Sequence, residues 1–110
     1  MKKFLIAVLA LAAVSPSVLA APSARDIDRL TTYATFLGRA VACQVSTRRQ
    51  IELVAAWMDQ RFKGYNEYLL VFATGMEQAA KQQASGRSPD SCAEVRKVIE
   101  SMPDREWQGG

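Results

Sequence analysis

The chain of 110 residues contains only two cysteines, Cys43 and Cys92, and this pair restricts its fold more than any other feature. A bond between them would close a loop of about 50 residues, for which chain entropy gives on the order of 4 kcal/mol of stabilisation. That amount is comparable to the net stability of a small domain. The alternative, a reactive thiol or a redox pair, lacks the Cys-x-x-Cys spacing. We therefore expect one disulfide between Cys43 and Cys92.

The first 20 residues predict export. Lys2 and Lys3 form a basic start, residues 4–14 form an unbroken apolar run, and Ala20 supplies the small residue that a signal peptidase needs. The run is shorter than the roughly 20 apolar residues of a membrane span. We expect cleavage after Ala20, periplasmic localisation, and a mature chain without a stable membrane anchor. In that oxidising compartment, a disulfide is the default state of two cysteines.

The charge balance gives no electrostatic reason to expect a nucleic-acid partner. The full chain has 14 basic and 11 acidic residues, and loss of Lys2 and Lys3 with the leader leaves 12 basic residues. A nearly neutral surface with both signs interspersed does not attract a polyanion. The basic pI of the full chain therefore reflects the leader more than the domain that follows it.

Apolar periodicity after the leader predicts four helices and no strand, and hence an all-α fold. We expect a small four-helix bundle stapled by one disulfide. Ser23 is a suitable N-cap for the first helix, which should end near residues 44–45. The apolar stripe of this helix consists of Ile27, Leu30, Ala34, Leu37 and Val41. In an up-down-up-down bundle the first helix ends at the pole where the fourth begins, so Cys43 and Cys92 would meet there.

Local signals predict the boundaries of the second and third helices. Thr47 and Gln50 have the spacing of a capping box, in which each side chain accepts from a backbone N–H of the first turn. Gly64 is suited to end the second helix, because glycine adopts the left-handed conformation at little cost. A third helix is expected over residues 65–84.

The fourth helix and the C-terminus complete the predicted domain. Ser91 with Glu94 forms a second capping box, and Pro103 ends the helix. We expect a frayed tail over residues 104–110, at the end of a single helical domain that spans residues 21–110.

Two glycines, Gly38 and Gly75, lie inside predicted helices, where glycine costs about 1 kcal/mol relative to alanine. Close approach of a neighbouring helix, or of a bulky ring such as that of Trp57, would account for them. The alternative is that the glycines form the floor of an apolar ligand pocket.

The chain has no histidine, which removes most catalytic and metal-binding constellations. Ser/His/Asp and Cys/His systems, His-ligated haem and His-containing zinc sites are excluded, and two cysteines alone cannot hold a structural zinc ion or an iron–sulfur cluster. The carboxylates show no spacing typical of an acid–base pair, and we interpret them as solvated helix charges. We therefore expect no enzymatic activity, no metal site and no cofactor.

A candidate interaction surface contains Trp57, Tyr65 and Tyr68, which lie on either side of the turn between the second and third helices. It also contains Arg48 and Arg49, at the start of the second helix. Tyr and Trp are frequent at protein interfaces. The two arginines oppose the helix dipole and would suit an acidic partner. In the alternative interpretation, the rings belong to the core and nearby Asp or Glu side chains neutralise the arginines.

Two families of small exported helical proteins share features with this chain. In its length after the leader, its helices and its one disulfide across about 50 residues, it resembles the HdeA-type acid-stress chaperones. The layout from Tyr68 through Gly75 to Cys92, and on to Met102 and Pro103, is similar to that of Tai-type periplasmic immunity proteins. The first resemblance implies a chaperone and the second an immunity protein. Neither transfers a functional residue to this chain.

Three functions are consistent with these observations. The leading hypothesis is a non-enzymatic periplasmic interaction factor, of an accessory, inhibitor or immunity type, whose helix faces bind another envelope protein. The second is an acid-stress chaperone, in which protonation of carboxylates leaves the basic residues unopposed and loosens the fold. The third is a carrier that holds an apolar small molecule in the helical core.

Overall fold

The computed structural model describes residues 21–110, and the predicted leader, residues 1–20, lies outside the described part. Four α-helices and a C-terminal 3-10 helix make up residues 21–110, which contain no strand. They are α1 (Ala24–Ala42), α2 (Arg48–Arg61), α3 (Glu67–Ala84), α4 (Cys92–Ser101) and the 3-10 helix Asp104–Gln108. The predicted all-α fold is confirmed. No helix among the described residues is long and apolar enough to cross a membrane.

Local hydrogen-bonding motifs begin and end α1. The hydroxyl of Ser23 accepts from the backbone N–H of Asp26 at 3.0 Å, which confirms the predicted cap. At the other end, Gln44 adopts a left-handed φ of 59°, and the N–H of Val45 donates to the carbonyl oxygen of Ala40 at 2.9 Å. This Schellman arrangement ends the helix slightly before its predicted end.

The predicted capping box of α2 is wrong. Thr47 precedes the helix, but its side chain makes no capping hydrogen bond. The Nε2 of Gln50 instead donates to the carbonyl oxygen of Ile99 in α4, at 3.4 Å. The Gln50 side chain, which local spacing assigned to the cap, therefore bonds to a residue that is distant in sequence. Gly64 turns the chain with a φ of 83°, as predicted, although the helix ends earlier, with Phe62 as its C-cap.

The predicted capping box of α4 is confirmed. The hydroxyl of Ser91 accepts from the N–H of Glu94 at 3.2 Å, and the carboxylate of Glu94 accepts from the N–H of Ser91 at 3.0 Å. Both hydrogen bonds join groups within one turn, which is why the sequence could reveal them. The third helix begins at Glu67, slightly after its predicted start, and ends at Ala84 as predicted.

Cys43 and Cys92 form the predicted disulfide, with their Cα atoms 5.4 Å apart. The bond joins the end of α1 to the start of α4. At the opposite pole, Asp26 near the start of α1 pairs with Arg61 at the end of α2, at 3.2 Å. These contacts show that α2 runs antiparallel to α1, and they confirm that the two cysteines meet at one pole of the bundle.

Gly38 and Gly75 bring α1 and α3 into close contact. A Cβ on Gly38 would overlap the carbonyl oxygen of Met76, and a Cβ on Gly75 would lie 3.0 Å from the Cβ of Ala34. The predicted close packing is therefore confirmed, with α3 rather than Trp57 as the neighbour of Gly38. In a square bundle these two parallel helices would be diagonal to each other. Here α3 packs along α1 and not along α2, so the bundle stays open between α2 and α3.

The predicted frayed tail is wrong, because residues 104–110 fold against the core. Trp107 is 1% exposed, and its ring centroid lies 5.5 Å from that of Tyr33 in α1. The hydroxyl of Tyr33 donates to the carbonyl oxygen of Glu106 and accepts from the N–H of Gly109 at 2.8 Å. Part of the segment is a 3-10 helix, which is too short to show an apolar repeat in the sequence.

The hydrophobic core lies between α1, α2, α4 and the 3-10 helix. Its most enclosed side chains are Leu30, Leu37, Val54, Val95 and Trp107. In contrast, α3 has a single buried residue, Ala79. The third helix is therefore attached to the core along one side and leaves most of its circumference uncovered.

Candidate functional site

An apolar groove lies between α2 and α3, on the side where the bundle stays open. Its volume is about 390 Å³. The apolar walls are formed by Ile51, Ala55, Met58 and Phe62 from α2 and its C-cap, and by Leu69 and Phe72 from α3. We refer to this feature as the α2–α3 groove. Apolar and aromatic side chains make up most of its lining.

The spacing of the apolar residues in α2 explains one wall. Ile51, Ala55, Met58 and Phe62 follow one another at intervals of three and four, which places them on one stripe of the helix. A second stripe, with Val54 at its centre, faces the core. Because Met58 and Phe62 border both stripes, they are buried and form the floor of the groove.

The turn between α2 and α3 closes one end of the groove. The rings of Phe62 and Tyr68 pack there with their centroids 5.0 Å apart. Tyr65 lines the same end. Asp59 and Lys63 also line the groove, and neither forms an ion pair with another described residue. The site therefore combines apolar walls with one acidic and one basic group at its edge.

The first turns of α3 expose large apolar side chains beside the groove. Leu69, Leu70 and Val71 are 59%, 71% and 41% exposed. Three consecutive helical residues spread over roughly 200° of the circumference, so no single groove can cover all of them. A helix segment that is apolar on every side is normally enclosed by other structure. Residues 68–73 are of this kind, and the described residues cover them only on the side of Tyr68 and Phe72.

Trp57 was predicted to belong to the interaction surface, but it lies in the core. It is 2% exposed and packs edge-on against Tyr33 and Phe62, with centroid distances of 5.2 and 5.4 Å. Its ring belongs to the core, as the alternative interpretation held. Tyr65 and Tyr68 are half-buried at the closed end of the groove. The structure therefore brings two of the three rings to one place and separates the third from them.

The predicted surface arginines lie at the other end of α2, away from the tyrosines, and both have acidic partners. Arg48 pairs with Glu52 one turn later, at 3.4 Å. The guanidinium of Arg49 donates two hydrogen bonds to the carboxylate of Asp104, one of them from Nε at 3.1 Å. These hydrogen bonds hold the pKa of Asp104 below its usual value and raise that of Arg49. The two arginines are neutralised within the chain, which agrees with the alternative interpretation.

The sequence contained a signal for the groove that periodicity alone did not reveal. Leu69 and Phe72 are three positions apart, as on one helical stripe, and Phe72 packs against the core. The run of six apolar or aromatic residues over positions 68–73 is wider than one buried stripe requires. That excess marks the exposed part of α3.

Comparison with protein-family models, with curated proteins and with solved structures finds no match to this chain. The resemblances to acid-stress chaperones and to immunity proteins therefore stay predictions. Within residues 21–110, no three Cys, Asp or Glu side chains come together as a group that could hold a metal ion.

Proposed function

We propose that this protein is a non-enzymatic, periplasmic interaction factor that binds an amphipathic helix of another envelope protein in the α2–α3 groove. The observation that carries the proposal is an apolar groove flanked by uncovered leucines on α3. The pattern of the leader and the disulfide support export to the periplasm. The disulfide and the core provide a rigid scaffold on which such a surface can be presented.

The dimensions of the groove suit a helix. From Ile51 to Phe62 the α2 wall is roughly 16 Å long, which corresponds to about three helical turns. Amphipathic helices bind such grooves through apolar residues at intervals of three and four. Asp59 and Lys63 at the edge would contact polar residues that flank the apolar face of the partner.

A protein partner accounts for the exposed residues better than a small apolar ligand does. Small-molecule sites enclose most of the ligand surface, in the range of about 70–90%. A ligand confined to the groove would leave Leu70 uncovered, because this residue does not line the groove. A helix in the groove can continue into a surface that also covers the outer side of α3. The carrier hypothesis is therefore less well supported than the interaction hypothesis.

The ion pairs favour the acid-stress chaperone as a second candidate. Arg61 in α2 pairs with Asp26 in α1, and Arg39 in α1 pairs with Asp90 before α4, at 3.2 and 2.7 Å. Each of these links between elements depends on an ionised carboxylate, which is the kind of contact that the acid-stress hypothesis requires. In this case the purified protein would bind an apolar dye in strong acid and suppress aggregation of a client protein there. Absence of both effects would exclude the chaperone function.

The interaction hypothesis can be tested with a matched pair of variants. Leu69→Glu places a charge in the groove, whereas Val41→Glu places the same charge at another exposed apolar residue, 50% exposed at the end of α1. The oxidised proteins would serve as baits in envelope extracts of the organism that makes the protein. We expect the wild-type protein and Val41→Glu to recover the same partner and Leu69→Glu to lose it. Equal recovery by all three proteins, or no recovery by any, would contradict the proposal.

A further inference from the structure

We propose that Asp59 and Lys63 select the partner of the α2–α3 groove by charge. The helix that docks there carries a basic side chain opposite Asp59 and an acidic side chain about one turn away, opposite Lys63. Both flank the apolar stripe of that helix. This inference rests on the proposed function and deepens it, because it names the chemistry of the partner.

The first argument is that the charges of α2 are neutralised everywhere except in the groove. All charged residues of α2 other than Asp59 belong to ion pairs, namely Arg48, Arg49, Glu52 and Arg61. Asp59 lines the groove and forms no ion pair with another described residue. The same holds for Lys63, which follows the helix. The unpaired charges of this segment are therefore the ones that face the groove.

The second argument is that Asp59 and Lys63 do not neutralise each other. They are four positions apart, the spacing at which opposite charges pair on a continuous helix. Here α2 ends at Arg61, with Phe62 as its C-cap, so the helix does not continue from one residue to the other. Both residues are exposed. Each charge therefore stays available to a partner.

The third argument is the free energy of water removal. A helix that fills the groove displaces water from both charged groups, and a charged group that loses water without gaining a partner raises the free energy of the complex. A purely apolar helix compensates neither group, and a helix with one sign of charge repels one of them. An anionic membrane surface would likewise compensate Lys63 alone and repel Asp59. Opposite charges about one turn apart compensate both groups, and charges at the edge of a contact mainly determine which partner is accepted.

The test uses the oxidised protein recovered after export and a set of designed helical peptides, with binding followed by fluorescence anisotropy. The peptides share one stripe of leucines and differ only at the positions that flank it. These positions are all Gln, all Lys, all Glu, or Lys and Glu in alternation from turn to turn along both edges. The alternating peptide presents the required pair in either direction of docking. We expect the wild type to bind it roughly 5-fold more tightly than the all-Lys or the all-Glu peptide.

Two variants should change this preference. Asp59→Lys makes both groups positive, so the all-Glu peptide should bind most tightly, and Lys63→Glu makes both negative, which favours the all-Lys peptide. Because both residues are exposed, circular dichroism should show an unchanged helix content. Glu100→Lys and Lys97→Glu are the matched controls. They make the same changes of charge at exposed residues of α4 that form no ion pair with another described residue, and should keep the wild-type order.

The outcomes separate this inference from the proposed function. High ionic strength should reduce the preferences, because it screens exposed charges. Equal affinity of the wild type for all peptides would overturn the inference, as would a preference that neither variant shifts. In that case, binding of the all-Gln peptide that is lost in Leu69→Glu would leave the interaction function standing. Failure of every peptide to bind the wild type would contradict helix docking in the groove, and the inference with it.

Discussion

The hydroxyl of Tyr33 is hydrogen-bonded to the backbone of Glu106, although the two residues are 73 positions apart in the chain. The same hydroxyl accepts from the N–H of Gly109 at 2.8 Å. One side chain of α1 therefore fixes both ends of the turn that carries Trp107. Through this contact, the last residues of the chain become part of the core.

Removal of the Tyr33 hydroxyl should destabilise the C-terminal segment. In Tyr33→Phe, the carbonyl oxygen of Glu106 and the N–H of Gly109 lose a partner, and we expect a loss of about 1–3 kcal/mol in the free energy of unfolding. Urea denaturation would measure the loss, and hydrogen exchange would show it at residues 104–110. Tyr68→Phe is the control, because its hydroxyl forms no hydrogen bond that is seen among the described residues. Equal stability of both variants would contradict the anchoring role.

Gly109 should tolerate a side chain less well than Gly86 does. Both glycines have positive φ, 94° and 75°, so alanine costs about 1–2 kcal/mol of backbone strain at either position. A Cβ at position 109 would also lie 2.6 Å from the Nε1 of Trp57, whereas a Cβ at position 86 meets nothing within 4 Å. In urea denaturation, Gly109→Ala should therefore lose more stability than Gly86→Ala. Equal losses of stability in the two variants would contradict this prediction and would show that the Trp57 side chain can move away from position 109 at little cost.

The close contact of α1 and α3 should depend on Gly38 more than on Gly75. A methyl group at Gly38 would overlap the carbonyl oxygen of Met76, which belongs to the backbone and can move only with α3. We expect Gly38→Ala to lose about 2–3 kcal/mol, despite the gain in helix propensity. A methyl group at Gly75 meets the side chain of Ala34, so Gly75→Ala should stay within about 1 kcal/mol of the wild type. Thermal unfolding of both variants would test this order.

Acid should loosen the C-terminal segment through Asp104. Its pKa is lowered from 3.8 mainly by the side-chain hydrogen bond with Arg49, so the folded protein binds a proton there less readily than the unfolded chain does. The resulting stabilisation is complete well above pH 3.8 and is lost as the pH falls through the lowered pKa of the folded state. Hydrogen exchange at residues 104–110, followed from neutral pH into acid, should show the loss.

Two variants separate Asp104 from the general effect of acid. Asp104→Asn lacks the titrating group, so its segment should be less protected at neutral pH and should change less on acidification. Asp28→Asn changes a carboxylate that is exposed and forms no ion pair with another described residue. It should follow the wild-type profile. Identical profiles for Asp104→Asn and the wild type would exclude this role of the Arg49 contact.

Features that depend on neighbouring residues were predictable from the sequence. Ser23 and Ser91 cap their helices through bonds to residues three positions later, and the four helices follow from apolar repeats. The pairing of Cys43 with Cys92 was predictable because the chain offers no other cysteine. These interactions involve groups that are close in the chain or have only one possible partner.

The candidate site was only partly predictable. Tyr65 and Tyr68 were expected at an interaction surface and lie at the closed end of the α2–α3 groove. Trp57 was expected beside them and is in the core, because α2 turns that side toward Tyr33. Leu70 was not singled out, since an apolar residue in a helix is normally expected to be buried. Which side of each helix is covered depends on the packing of the others.

The sequence by itself determined the helices, most of their boundaries and the disulfide, because these follow from the backbone geometry of a few consecutive residues or from a unique pair of side chains. Only the tertiary structure decided that Gln50 bonds to Ile99 instead of capping α2, and that Trp107 completes the core. It also decided that α3 packs on α1 through Gly38 and leaves the groove beside α2 open. These outcomes depend on the fit between surfaces that are far apart in the chain, and a local sequence pattern contains no information about that fit.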